Sequence, residues 1–134
     1  VGPDGSAWVI GTNPQAGGYG IYMWNGSSFV HQSGAGVDIA VGPGDTPWVV
    51  NSSHDIFEWN GTSFVQRPGS ARDIAVGADG SVWVVGTNKV TGGYGIYKWN
   101  GTSFVKKPGS AVDIAVGPTG TAWIVKSNHS IFEG

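Results

Sequence analysis

Residues Asp73–Asn100, DIAVGADGSVWVVGTNKVTGGYGIYKWN, carry the pattern that decides the fold. Much the same text stands at Val1–Asn25, a shorter version runs over Asp38–Asn60, and a further partial copy begins at Asp113. The Trp of the recurring VGxxGxxW segment, with Asp45 in place of the second Gly in one copy, falls at Trp8, Trp48, Trp83 and Trp123, with spacings of 40, 35 and 40 residues. A long unit thus alternates with a short one at a full period of 75, and residues 1–59 match 76–134 under that shift. Self-similarity at such spacing marks a tandem array of one supersecondary unit.

Each unit contains four strand-like runs. In the third unit they are Asp73–Gly77, Ser81–Gly86, Tyr94–Asn100 and Ser103–Lys107. All are rich in β-branched or aromatic residues and bounded by turn residues. Asp79-Gly80 separates the first two runs, and Asn25-Gly26, Asn60-Gly61 and Asn100-Gly101 each separate a third from a fourth. Such dipeptides predict tight two-residue hairpins, whose central residues both take positive φ. No helical periodicity competes, so the expectation is all-β, built of four-stranded antiparallel units. Four strands per 35–40 residues is the format of a β-propeller blade. The Ala- and Gly-containing DIAVG run suits the crowded innermost strand. The SFV run, trailing into KKPG or QRPG, suits a solvated outermost strand guarded by charge and Pro.

Composition narrows the function classes. The chain has 24 Gly, 7 Trp and no Cys among 134 residues, which excludes disulfides and thiolate metal sites. Seven Lys and Arg against nine Asp and Glu leave no basic patch for a phosphate backbone, so no nucleic acid partner is expected. No apolar run nears the roughly 18 residues of a span, so no membrane insertion is expected, and the chain reads as soluble, cytosolic or secreted. Asp38, Asp73 and Asp113 are one repeated position, Asp4 and Asp79 lie in turns, and Glu58 and Glu133 are swapped for Met23 and Lys98 in the long units. A glycosidase needs two carboxylates at a set separation in one pocket, and a hydrolase triad needs a singular Ser–His–Asp set. Neither is present, so no catalytic residue and no cofactor is expected.

The repeated VGxxGxxW and WNGxSFV…PG motifs resemble the tectonin repeat of the tectonin and tachylectin-related β-propeller lectins, over essentially the whole chain. Phe29, Phe64 and Phe104 stand where many tectonin repeats carry Trp. The resemblance implies a multivalent carbohydrate-binding lectin with sugars held between adjacent blades. The alternative is a structural or protein-interaction propeller module. About 3.5 blades are expected: 1–37 lacking most of its inner strand, 38–72, 73–112, and 113–134 lacking its outer strand. Three long–short pairs would span roughly 225 residues in a closed ring. The partners expected are therefore glycans, plus either further blades completing a fragment or other copies in a homo-oligomer.

Antiparallel order puts the second-to-third connections on the rim opposite the Asn-Gly turns, and all five extra residues of the long unit fall there. Its sequences, GTNPQAGGYG and GTNKVTGGYG, read as loops, with NSSHD and KSNHS as the short counterparts. Loops on a rigid scaffold are the usual seat of binding. The candidate carbohydrate-binding residues are Asn13, Tyr19, Asn88 and Tyr94 in the long loops, with Asn51, Ser52, His54 and His129 in the short ones. Amides and hydroxyls fix sugar hydroxyls, and a planar ring covers the apolar face of a pyranose. His54 and His129 lie one full period apart, in different blades, so no shared metal is expected. The repeated Trp residues are expected to pack blade against blade. Of the five Asn-x-Ser/Thr sequons, at Asn25, Asn51, Asn60, Asn100 and Asn128, three coincide with the Asn-Gly turns.

Overall fold

The computed structural model describes residues 1–134, and every regular element in it is a β-strand. Four antiparallel sheets follow one another along the chain, each a propeller blade. Blade 1 has three strands, β1 (Trp8–Gln15), β2 (Gly18–Trp24) and β3 (Phe29–Gly36). Blade 2 has four, β4 (Asp38–Gly42), β5 (Thr46–Val50), β6 (Asp55–Trp59) and β7 (Phe64–Ser70). Blade 3 repeats that order with β8 (Asp73–Val76), β9 (Val82–Val90), β10 (Gly93–Trp99) and β11 (Phe104–Ala111). Blade 4 has β12 (Asp113–Val116), β13 (Ala122–Val125) and β14 (Ile131–Glu133).

The blades join in two places. At the inner edge, β8 lies between β4 and β12, and the first residues of β4 and β8 reach across to the next blade. Asp38 accepts from its own blade's Ile39 amide at 2.9 Å and from the Ile74 amide of blade 3 at 3.2 Å. Asp73 does the same for Ile74 and for Ile114 of blade 4, at 2.9 and 3.0 Å. Farther out, the second-strand Trp of one blade meets the Trp and Phe of the next. Trp8 lies edge-on to Trp59 (centroids 5.1 Å) and Phe64 (6.1 Å). Trp48 repeats this with Trp99 and Phe104 at 5.4 and 6.1 Å. Edge-to-face geometry sets the positive ring edge against the negative face of its neighbour. Around these contacts the core divides into three clusters, one per junction, with Val49, Ile56 and Val85 among the residues sealed from solvent.

Two expectations about turns are corrected. The Asn-Gly connections are not two-residue hairpins with positive φ at both residues. Each is a four-residue loop in which only the glycine is left-handed, for example Gly61 at φ 103°. The reason is the Asn side chain: Asn60 Oδ1 accepts from the Thr62 and Ser63 amides, both at 2.9 Å, and from the Thr62 hydroxyl at 3.1 Å. Those bonds hold a wider loop closed without forcing Asn into the left-handed region.

Nor is the second-to-third connection of the long unit a loop. β9 continues to Val90 and β10 begins at Gly93, so the extra residues lengthen the hairpin into an arm; β1 and β2 do the same in blade 1. The arm is broken by a bulge, since Val85 pairs with Ile96 but the next pair is Lys89 with Tyr94. Gly93 ends the arm with φ 143°, and a Cβ there would sit 2.5 Å from the Ala111 carbonyl oxygen. Only glycine permits the return strand to lie so close to β11.

Candidate functional site: the clefts between blades

The bulge in each arm places one of the Asn candidates. Asn88 folds over Gly95, whose missing Cβ leaves the room, and its Oδ1 accepts from the Tyr97 hydroxyl at 2.9 Å. Asn13 folds over Gly20 and accepts from Tyr22 at 3.0 Å. In both pairs the amide nitrogen has no protein partner, so the Asn–Tyr couple presents donors and an aromatic ring side by side.

The arms also reach the next blade. The Ser52 amide donates to the Gly17 carbonyl at 2.9 Å, and one period later the Ser127 amide donates to Gly92 at 3.0 Å. The short connection of each short blade is thereby docked on the arm of the long blade before it. Asn51 caps that short turn, its Oδ1 accepting from the Ser53 and Asp55 amides at 3.0 and 2.9 Å. His54 and His129 occupy the left-handed position of the turn, with φ of 68° and 69°. The His54 Nδ1 lies 3.2 Å from the Ala71 carbonyl oxygen, a contact that fits a proton on Nδ1.

Between neighbouring blades these features frame three clefts. The blade 1–2 cleft, about 290 Å³, is floored by Ile21, Val49, Phe57 and Phe64, with Asn51 and Ser33 among its polar groups. The blade 2–3 cleft, about 320 Å³, holds Asn88, Tyr97, Thr87 and Phe104 on one wall and Pro68–Ser70 on the other. The blade 3–4 cleft, about 460 Å³, is the counterpart of the first, with Phe132 in place of Phe57 and Lys126 in place of Asn51. In each, one wall is the outer strand at its Pro-Gly or Ser-Gly bulge. Gly34, Gly69 and Gly109 are left-handed there, at φ 108°, 115° and 108°.

Of the eight candidates read from the sequence, Asn51 and Asn88 line clefts within the chain. Asn13 occupies the Asn88 position on the outward face of blade 1, where the chain supplies no preceding blade. Ser52 contributes its backbone to the arm contact. Tyr94 packs under Arg72, whose guanidinium carbon is 4.4 Å from the ring centroid, while Tyr19 is 42% exposed. His54 and His129 stand in separate blades on the turns described, and no group of three or more His, Cys, Asp or Glu side chains is arranged to hold a metal ion. Two cleft features are missed in the sequence: the Tyr97 hydroxyl and the outer-strand bulge. A signal for the first exists, because Tyr22 and Tyr97 occur only in long units, where short units have Phe57 and Phe132.

Several acidic residues are tied into scaffold. Glu58 pairs with Arg67 at 2.9 Å, and Asp79 accepts from the Ser81 amide and hydroxyl at 3.0 and 2.9 Å. Burial pushes the Asp73 carboxyl up to about 8, aided by the carboxyls of Asp38 and Asp113 on either side. No helix is long and apolar enough to cross a membrane.

Repeated four-stranded blades with a cleft at every junction define a β-propeller repeat protein. The Tectonin domain family model matches residues 1–132, and the chain belongs to that family. No curated protein matches it.

Proposed function

We propose that the chain is a carbohydrate-binding propeller module that uses its inter-blade clefts as several shallow saccharide sites and performs no catalysis. The observation carrying this reading is the recurrence of one arrangement at every junction. Each cleft sets an aromatic side chain beside groups that hydrogen-bond, in a volume of about 290–460 Å³. That size is of the order of a monosaccharide or disaccharide site, and an apolar plate edged by a few fixed polar groups suits a pyranose ring. Membership of the Tectonin domain family supports the same reading. Several equivalent weak sites gain strength together on a glycan-covered surface. The engagement of Glu58, Asp79 and the inner-strand Asp residues in scaffold contacts supports a non-catalytic role.

The outward faces of blades 1 and 4 favour a second element of this reading, docking of further blades. Trp24 and Phe29, 42% and 47% exposed, hold the positions that receive a Trp in blades 2 and 3; Trp123, 47% exposed, holds the position that supplies one. The blades that cover them come from the same chain type, in a longer polypeptide or a homo-oligomer. A glycan array probed with the folded chain tests the main claim. Binding of defined saccharides, competed by the free sugar, is expected. A folded, assembled protein that binds no glycan, or that captures a protein partner insensitive to free sugar, would refute it.

A further inference from the structure

The blade 1–2 and blade 3–4 clefts are the same site one period apart, and they differ in charge. Ile21, Gly34, Val49 and Phe57 of the first correspond to Ile96, Gly109, Ile124 and Phe132 of the second. The frame is shared through the second and third strands, including the docking of the short turn on the arm at Gly17 and at Gly92, while Ser63 and Phe64 of the first cleft have no counterpart in the three-stranded blade 4. The first cleft has no charged residue in its lining. In the second, Lys126 replaces Asn51 and Lys107 replaces Gln32, and the two lysines come from opposite walls.

Neither ammonium is paired. The single ion pair in the chain is Arg67–Glu58, so Glu133, the one acidic side chain lining this cleft, is not within bridging distance of either lysine. The Lys126 stem passes the arm turn, where a Cβ on Gly92 would lie 3.4 Å from its Cδ. Its ammonium rests over Phe132, 4.5 Å from the ring centroid. Ring and cation therefore share one face of the cleft. A sugar bound beside Phe132 would hold an acidic substituent next to Lys126, with Lys107 opposite.

We propose that the blade 3–4 cleft is selective for acidic saccharides, those bearing a carboxylate, sulfate or phosphate, through Lys126 and Lys107, while the blade 1–2 cleft takes neutral ones. The proposal rests on the reading of the clefts as saccharide sites. Charge-assisted hydrogen bonds between ammonium and oxyanion are the stronger class, and they weaken with salt when partly exposed.

The test is calorimetric titration of the folded chain with glucuronic acid, galactose 6-sulfate and glucose 6-phosphate, against glucose and galactose as neutral controls. An acidic sugar is expected to bind about tenfold more tightly than its neutral counterpart. The sugar that does so identifies the anionic group. The double variant Lys107→Gln/Lys126→Asn, which copies the blade 1–2 cleft, is expected to lose that preference and keep neutral binding. The converse variant, Gln32→Lys/Asn51→Lys, is expected to raise the number of acidic sites per chain. No acidic preference in the wild type, or a preference that survives the double variant, overturns the proposal and leaves neutral saccharide binding standing. Inorganic sulfate binding as well as galactose 6-sulfate also overturns it, as an anion site indifferent to sugar. If no sugar of either kind binds, the saccharide reading fails too.

Discussion

Trp48 of blade 2 stands edge-on to Trp99 of blade 3, ring centroids 5.4 Å apart at an interplanar angle of 68°. Trp48 is 3% exposed, whereas Trp123, its counterpart one period later, is 47% exposed on the open face of blade 4. The two residues share a motif, and Trp48 packs on the Trp and Phe of another blade while Trp123 has no such aromatic partner. Trp48→Ala is therefore expected to cost about 3–5 kcal/mol, in the range for a buried aromatic removed from a core. Trp123→Ala in the isolated chain is expected to cost under about 1 kcal/mol. Urea unfolding of both variants measures the difference, and equal losses would contradict the junction as described.

The inner-strand Asp ladder predicts an unusual pH response. Folding raises the Asp73 carboxyl from 3.8 to about 8, chiefly by burial and then by its hydrogen-bonded Asp neighbours. A folded-state value above the unfolded one means the protonated form is favoured by folding. The resulting stabilisation is complete below the unfolded value and is lost as pH rises through about 8. Thermal unfolding should therefore show a Tm that declines between pH 5 and pH 9. Asp73→Asn keeps an acceptor for the Ile114 amide and cannot ionise, so it is expected to flatten that decline and to be the more stable protein at pH 9.

The Asx loops make a third, local prediction. Asn60→Ala removes the acceptor of two backbone amides and one hydroxyl, and is expected to cost about 1–2 kcal/mol. Asn25 and Asn100 hold the same bonds in other blades. The triple variant is therefore expected to lose nearly the sum of the single losses, because separated sites add. Denaturant midpoints of the wild type, the three single variants and the triple variant check this.

The blade 2–3 cleft supplies a prediction about binding. Asn88→Ala removes both the free amide donor and the acceptor for the Tyr97 hydroxyl. Tyr97→Phe removes that hydroxyl and keeps the ring. Loss of one saccharide site per chain is expected for Asn88→Ala, with a smaller loss of affinity for Tyr97→Phe and little change in Tm for either. Titration with a saccharide identified on the array, paired with a melting curve, reads both.

The strands and their blade order are legible in the sequence because each depends on near neighbours: β-branched and aromatic runs, Gly-marked turns, and a motif that recurs in register. The arm is harder to read. Gly86, Gly92, Gly93 and Gly95 look like loop residues, yet Gly93 and Gly95 serve close approach, to the Ala111 carbonyl and to the Asn88 side chain. The clefts are harder still, since their walls come from different blades, as when Pro68 and Gly69 face Asn88. Asn51 and Asn88, which line clefts, are already candidates in the sequence because they sit in the variable connections. Tyr97 is hidden inside a run that otherwise reads as scaffold.

The central claim is that the clefts between blades are where a saccharide binds. Its most direct test is chemical-shift mapping of the isotope-labelled chain during titration with a saccharide that binds on the array. The account predicts saturable shifts at the Asn51 and Asn88 side-chain amides and at the Gly34, Gly69 and Gly109 backbone amides of the bulges. Shifts confined to the turns at Asp4, Asp45 and Asp79, none of which lines these clefts, would contradict it.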